Sequence, residues 1–132
     1  MSPRKALVGL WCLIAAPAGA QTPMSVAEFE AWSTGKTLVY ALNGVVIGSE
    51  QHLPGRQTLD SDLGGPCVDG VWFAQGDAVC FVYAAYEGTH CWRFWRDGDL
   101  VMASPLGAAA DDEAYTVTLD ASPLDCSPQV GV

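Results

Sequence analysis

Residues Cys80 to Trp95, CFVYAAYEGTHCWRFW, bring two cysteines, six aromatic rings and a histidine into sixteen positions. Side chains of these types can do redox or metal chemistry, capture a ligand on aromatic surfaces, or fill a core. The spacing speaks against the first. The chain has no C-x-x-C of a thioredoxin-type centre, no C-x-x-C-H for haem and no paired C-x-x-C knuckles for zinc. His52 and His90 are the only histidines, and neither has a second histidine four residues away. Asp111-Asp112-Glu113 lacks the alternating oxygens and the glycine of an EF-hand loop, so it reads as a solvated acidic turn. No G-x-S-x-G or comparable signature marks a nucleophile. The sequence therefore assigns no catalytic residue, no metal and no cofactor.

Compartment explains the cysteines better than chemistry does. Arg4 and Lys5, the apolar run Ala6 to Ala16 and the A-x-A site Ala18-Gly19-Ala20 form a Sec-type export signal over 1–20, with cleavage expected after Ala20. The run is shorter than the roughly 20 residues a membrane span needs, and no later segment approaches that length. Cys12 follows Gly9-Leu10-Trp11, not the small residues a lipid-attachment site requires. Removing twenty of the 132 residues leaves 112, enough for one domain over 21–132 in the periplasm or outside the cell. That domain keeps Cys67, Cys80, Cys91 and Cys126, an even set that reads as two disulfides in an oxidising space. Three connectivities are open on count alone.

Losing Arg4 and Lys5 also leaves four Lys and Arg against fifteen Asp and Glu, a net charge of −11. That field repels phosphate backbones and anionic lipid surfaces, and no basic stripe offsets it. Nucleic acid is thereby excluded as a partner, whereas a basic protein or a small ligand is compatible.

The elements that must position these residues are legible in outline. Ser25 and Glu28 form a capping box ahead of Val26, Phe29 and Trp32, and Gly35 supplies a stop, so one short amphipathic helix is expected over 26–33. Two turns of helix do not persist alone in water, so its apolar stripe must dock on the rest of the chain. The rest reads as strands: 36–42, 45–50, 68–74, 77–83, 91–96, 99–103 and 114–120, with a weak eighth near 56–60. Asn43-Gly44 and Asp97-Gly98 are hairpin turns, and Gln75-Gly76 is a weaker one. The fold class is mainly β, an antiparallel meander of seven or eight strands closing as a small barrel or a sandwich.

Turn positions fix a register. Centring the turns on 75–76, 85–86 and 97–98 sets Trp72 opposite Val79, Val79 opposite Trp92, Cys80 opposite Cys91, Phe81 opposite His90, and Trp92 opposite Ala103. One face then collects Trp72, Val79, Phe81, Tyr83, Trp92, Phe94 and Val101 as core. The other collects Val71, Phe73, Cys80, Val82, Cys91, Trp95, Leu100 and Met102, with Arg93. This second face is covered by the helix, by the 104–113 loop, or by a ligand or partner; Phe73, Arg93 and Trp95 are its candidate binding residues. Arg56, in the turn Leu53-Pro54-Gly55-Arg56, is a further candidate for holding an anionic group, against the plain reading of a surface arginine. Cross-strand placement favours a Cys80–Cys91 disulfide and leaves Cys67 to Cys126, with a Cys67–Cys80 link the alternative.

The chain carries T-G-K-T at 34–37, G-x-E at 48–50, L-P-G-R at 53–56, C-x-x-G-x-W at 67–72, G-D-x-x-C-F-x-Y at 76–83 and C-W at 91–92. Together, over roughly residues 24–94, they resemble a class of small exported alphaproteobacterial proteins with no assigned activity. The resemblance implies export and a compact disulfide-bearing domain, and carries over no catalytic residue.

The function expected is an exported, non-catalytic binding or inhibitor-like module, with a basic protein steered by charge as the natural partner. The alternatives are a periplasmic hydrolase whose acid and base are carboxylates in a cleft, and a structural envelope protein.

Overall fold

The computed structural model describes residues 21–126, together with Ser2, Gly9, Cys12 and Leu13; the rest of the expected export signal, including its cleavage site, falls outside the described residues. A helix, α1 (Val26–Ser33), precedes eight strands: β1 (Thr37–Leu42), β2 (Val45–Leu53), β3 (Gln57–Ser61), β4 (Val68–Gln75), β5 (Ala78–Tyr83), β6 (His90–Asp97), β7 (Leu100–Pro105) and β8 (Tyr115–Asp120). Each strand pairs antiparallel with the next, and β8 returns to β1, closing a barrel in simple sequence order. Closure leaves no sheet edge to protect. The weak eighth strand is a full member, β3, paired on both sides.

Hairpin chemistry sets the register, and at two turns it differs from expectation. Asn43 and Gly44 both take positive φ, as a type I′ turn requires, and place Leu42 opposite Val45. At the other two hairpins the turn residues are Gly76-Asp77 and Gly98-Asp99, one position later than the expected 75–76 and 97–98. Glycine takes the first central position there, with φ of 61° at Gly76 and 60° at Gly98, the type II′ arrangement. Trp72 consequently faces Phe81 instead of Val79, and Phe94 takes the place of Trp92 opposite Ala103. A shift of two preserves the side on which each residue lies, so the expected inner face holds. Trp72, Val79, Phe81, Phe94 and Val101 are buried in the core, with Tyr83 and Trp92 packed against it. The β5–β6 register is as expected, with Cys80 opposite Cys91 and Phe81 opposite His90.

The two ends of the barrel are built differently. Three short turns, 54–56, 76–77 and 98–99, lie at the end where α1 sits; the loops 62–67, 84–89 and 106–114 lie at the other. The Ser25 hydroxyl accepts from the Glu28 backbone N–H at 3.1 Å, starting the helix. Gly35 ends it with φ of 81° and donates its N–H to the His52 carbonyl at 2.9 Å. Phe29 enters the barrel and meets Phe94, Trp72 and His52 at centroid distances of 4.5, 5.4 and 5.5 Å. The helix thus plugs an end of the barrel; it does not lie across the outer apolar face, which was one expected cover for that face.

That outer face is covered only in part. Val71 and Phe73 remain 50% and 41% exposed, and Val82 and Leu100 are exposed too. Trp95 is 8% exposed, because the segment ahead of the helix runs along β6 where β5 has already ended: Pro23 bridges Trp95 and the Met24 N–H donates to the Phe94 carbonyl at 2.6 Å. The disulfides are Cys80–Cys91 across β5 and β6, and Cys67–Cys126. The second ties the 62–67 loop to the tail beyond β8, which crosses β1 and β2. On the way Thr37 Oγ1 donates to the Ser122 carbonyl at 2.7 Å, and the Leu124 N–H donates to Gln51 Oε1 at 3.1 Å.

Candidate functional site

The end opposite the helix opens into a cavity of about 210 Å³. One wall comes from the Cys80–Trp95 stretch: Phe81 and Tyr83 on β5, Tyr86 on the loop, His90 and Trp92 on β6. Strand alternation turns residues 81, 83, 90 and 92 inward while Cys80 and Cys91 between them point outward to form the staple. The facing wall comes from β1, β2 and the β3 region, chiefly Tyr40, Gly48, Glu50, Asp60 and Asp62. Glu50 and Asp60 are opposed across β2 and β3, so two carboxyls share one inner surface.

Glu50 is the best-held of these. It is 1% exposed, and a buried carboxylate is stable only when its oxygens are hydrogen-bonded. Tyr83 donates its hydroxyl to Oε2 at 2.6 Å, and His52 Nε2 lies 2.8 Å from Oε1. A carboxylate only accepts, so Nε2 carries the proton in this pair. Tyr83 can reach Glu50 because Gly70 leaves the space: a Cβ there would lie 2.8 Å from the Tyr83 ring and 2.6 Å from Thr58 Oγ1. The Tyr83 ring is stacked on Phe81 with centroids 6.0 Å apart.

Asp60 is held in the opposite way. Burial, then the charge of Glu50, then that of Asp62, push its carboxyl up to about 7. Among the described residues no hydrogen bond or ion pair compensates it. The Tyr40 phenol is held well above its usual range by burial, with the charges of Glu50 and Asp60 adding to it. Tyr83 is pushed the same way, again first by burial and then by Glu50. Both phenols therefore stay protonated and can donate. Tyr40 and Trp92 close the aromatic side at 6.3 Å, with Tyr115 behind Trp92 at 5.3 Å. Among the described residues no group of three or more His, Cys, Asp or Glu side chains is placed to hold a metal ion.

The binding candidates singled out from the sequence lie outside this cavity, and only Arg93 and Trp95 lie together. Arg56 sits at the plugged end, where its guanidinium donates to Glu30 through Nε at 3.2 Å and Nη2 at 2.9 Å and lies 4.4 Å from the centroid of Trp72. It latches the helix to the barrel, and Glu30 holds its guanidinium pKa up while being held down in turn. Arg93 is exposed on β6 beside Asp77 at 3.4 Å. With Trp95 it borders a second, more polar hollow of about 340 Å³ beneath the 105–114 loop. Phe73 is exposed on the outer side of β4.

Sequence reasoning missed Tyr40, Glu50, Asp60 and Asp62. The available signal was spacing: Tyr40, Glu50 and Asp60 recur every ten residues, one per strand, and all turn inward. It was hidden because Gly48, Glu50 and His52 are the inward residues of β2, the reverse of the usual apolar-in pattern. A bulge between Tyr40 and Ala41 also breaks the register that the Asn43-Gly44 turn imposes. Searches against protein-family models, curated proteins and solved structures return no match to this chain, so the site is defined by its own geometry.

Proposed function

We propose that the protein is an exported, non-catalytic binding module that takes its ligand into the open end of the barrel. The observation that carries this reading is the asymmetry of the two ends. Phe29 fills one, while the other keeps a cavity on which five aromatic side chains and three carboxylates converge, the composition of a ligand site. The two disulfides are consistent with an oxidising compartment, which supports export through a signal cleaved after Ala20. The resulting charge of −11 favours a basic protein or a small cationic ligand as partner through long-range attraction.

A second reading, a hydrolase working through carboxylates, is favoured by one observation: Asp60, pushed up to about 7, stands across from Glu50, and a proton donor is most effective with a pKa near the working pH. Against it, both oxygens of Glu50 are engaged by His52 and Tyr83.

Saturation-transfer NMR with small alcohols, carboxylic acids, sugars and amines, run on the disulfide-bonded protein and on Gly48→Val, separates these readings. Binding of at least one class that is lost in the filled cavity, with the compound recovered intact, is the expected result. Equal response from both proteins would overturn the cavity as the site, and turnover of a bound compound would establish the hydrolase.

A further inference from the structure

We propose that the group this cavity takes is an organic ammonium ion, held by the Asp60 carboxylate among the aromatic side chains of Tyr40, Tyr83 and Trp92. The proposal rests on the open end of the barrel being a binding site, and narrows it to one ligand chemistry.

The lining is unbalanced in charge. Glu50, Asp60 and Asp62 contribute carboxylates, and among the described residues neither a lysine nor an arginine lines the cavity. The one basic lining group among the described residues is His90, whose Nε2 lies 3.2 Å from the Glu87 carbonyl. An anion is repelled. A neutral guest would strip water from Asp60 and return nothing for it, which is costly for a group that no cation among the described residues compensates. A compact metal ion is poorly served, since the acidic groups do not gather about one point and the remaining wall is ring carbon. An ammonium ion bearing carbon substituents answers both kinds of lining. Its charge meets the carboxylate, and its polarised C–H groups meet the negative faces of aromatic rings.

Three further observations agree. The Glu50 carboxylate is occupied by His52 and Tyr83, which leaves Asp60 and Asp62 to turn to a guest, and of these Asp60 is the less exposed. Burial is the first cause of its raised pKa, and the negative charges of Glu50 and Asp62 come after it; those two charges would also attract an ammonium, which would take the place of the proton. The volume, about 210 Å³, exceeds the roughly 150 Å³ that admits a benzene ring. That suits a cation of several heavy atoms, either a free amine or the end of a basic side chain.

Calorimetric titration with isosteres isolates charge from shape. The probes are choline, its neutral carbon analogue 3,3-dimethylbutan-1-ol, the anion 3,3-dimethylbutanoate and a short lysine oligomer, each at pH 8 against the wild-type protein and Asp60→Asn. Choline binding on the order of tenfold tighter than the alcohol, with that preference lost in Asp60→Asn, is the expected result. Binding of the lysine oligomer without choline would keep the ammonium chemistry and assign its source to a protein side chain. Equal binding of the alcohol and choline would overturn the ammonium assignment while leaving the cavity as a binding site. Binding by none of the four would also overturn it, and the site itself would then be judged by the fragment screen on Gly48→Val.

Discussion

The Tyr83 hydroxyl and the Glu50 carboxylate meet inside the barrel at 2.6 Å, and this bond joins the aromatic wall of the cavity to its acidic wall. Replacing Tyr83 with Phe keeps the ring on Phe81 but removes the shortest of the hydrogen bonds to a buried carboxylate. Such a loss costs about 1–3 kcal/mol. Urea denaturation should show a destabilisation of that size, and Gly70→Ala should mimic part of it, because its new methyl would contact the Tyr83 ring.

Asp60 makes stability fall as pH rises. The native state keeps its proton up to about pH 7, whereas the unfolded chain releases it near pH 4. The stabilisation from the protonated form is therefore complete below about pH 4 and lost by about pH 7. Asp60→Asn, which resembles the protonated acid, should match wild type at pH 4 and exceed it at pH 8 by about 1–2 kcal/mol, after discounting for the carboxyl's remaining contact with water. Paired urea titrations at the two pH values check this. Asp60 shares the cavity with Glu50, Asp62, His90, Tyr40 and Tyr83, so Asp62→Asn should show a smaller change in the same direction.

Phe29 is the plug of the closed end. Phe29→Ala should cost about 3–5 kcal/mol, as for other large buried aromatics. Arg56→Ala, which removes only the solvent-screened latch to Glu30 and the stacking on Trp72, should cost clearly less than Phe29→Ala. Thermal unfolding of the two variants checks the order. A larger effect from Arg56 would show that the latch, and not the core contact, holds the helix.

The disulfides close loops of unequal length, with Cys67–Cys126 spanning 59 residues and Cys80–Cys91 spanning 11. On the chain-entropy account, replacing the first pair with serine should cost about 4 kcal/mol and the second about 3 kcal/mol. Denaturation of the two double variants measures the difference.

Much of the frame could be read from the chain because it follows from local rules. Ser25 and Glu28 set the helix start, and the even-length loop between Tyr83 and His90 fixes Cys80 against Cys91. The two Gly-Asp turns were centred one residue early, since the sequences Gln-Gly-Asp and Asp-Gly-Asp each offer two centres and only the φ of the glycine decides. Where α1 docks was not legible, because an amphipathic stripe states that it must be covered and not by what. The acidic half of the cavity was hidden for a different reason. Glu50 and Asp60 break the apolar-in rule, and inward polar residues become visible only once closure shows which side is inside.

Trp92 and Trp95 stand on opposite sides of the same strand, Trp92 in the cavity wall and Trp95 under the N-terminal segment. Following both indole N–H resonances during a choline titration therefore tests the central claim most directly. The account predicts a saturable shift at Trp92 with Trp95 unmoved; movement at Trp95 with Trp92 silent would place binding on the outer face around Phe73 and Arg93 and contradict it.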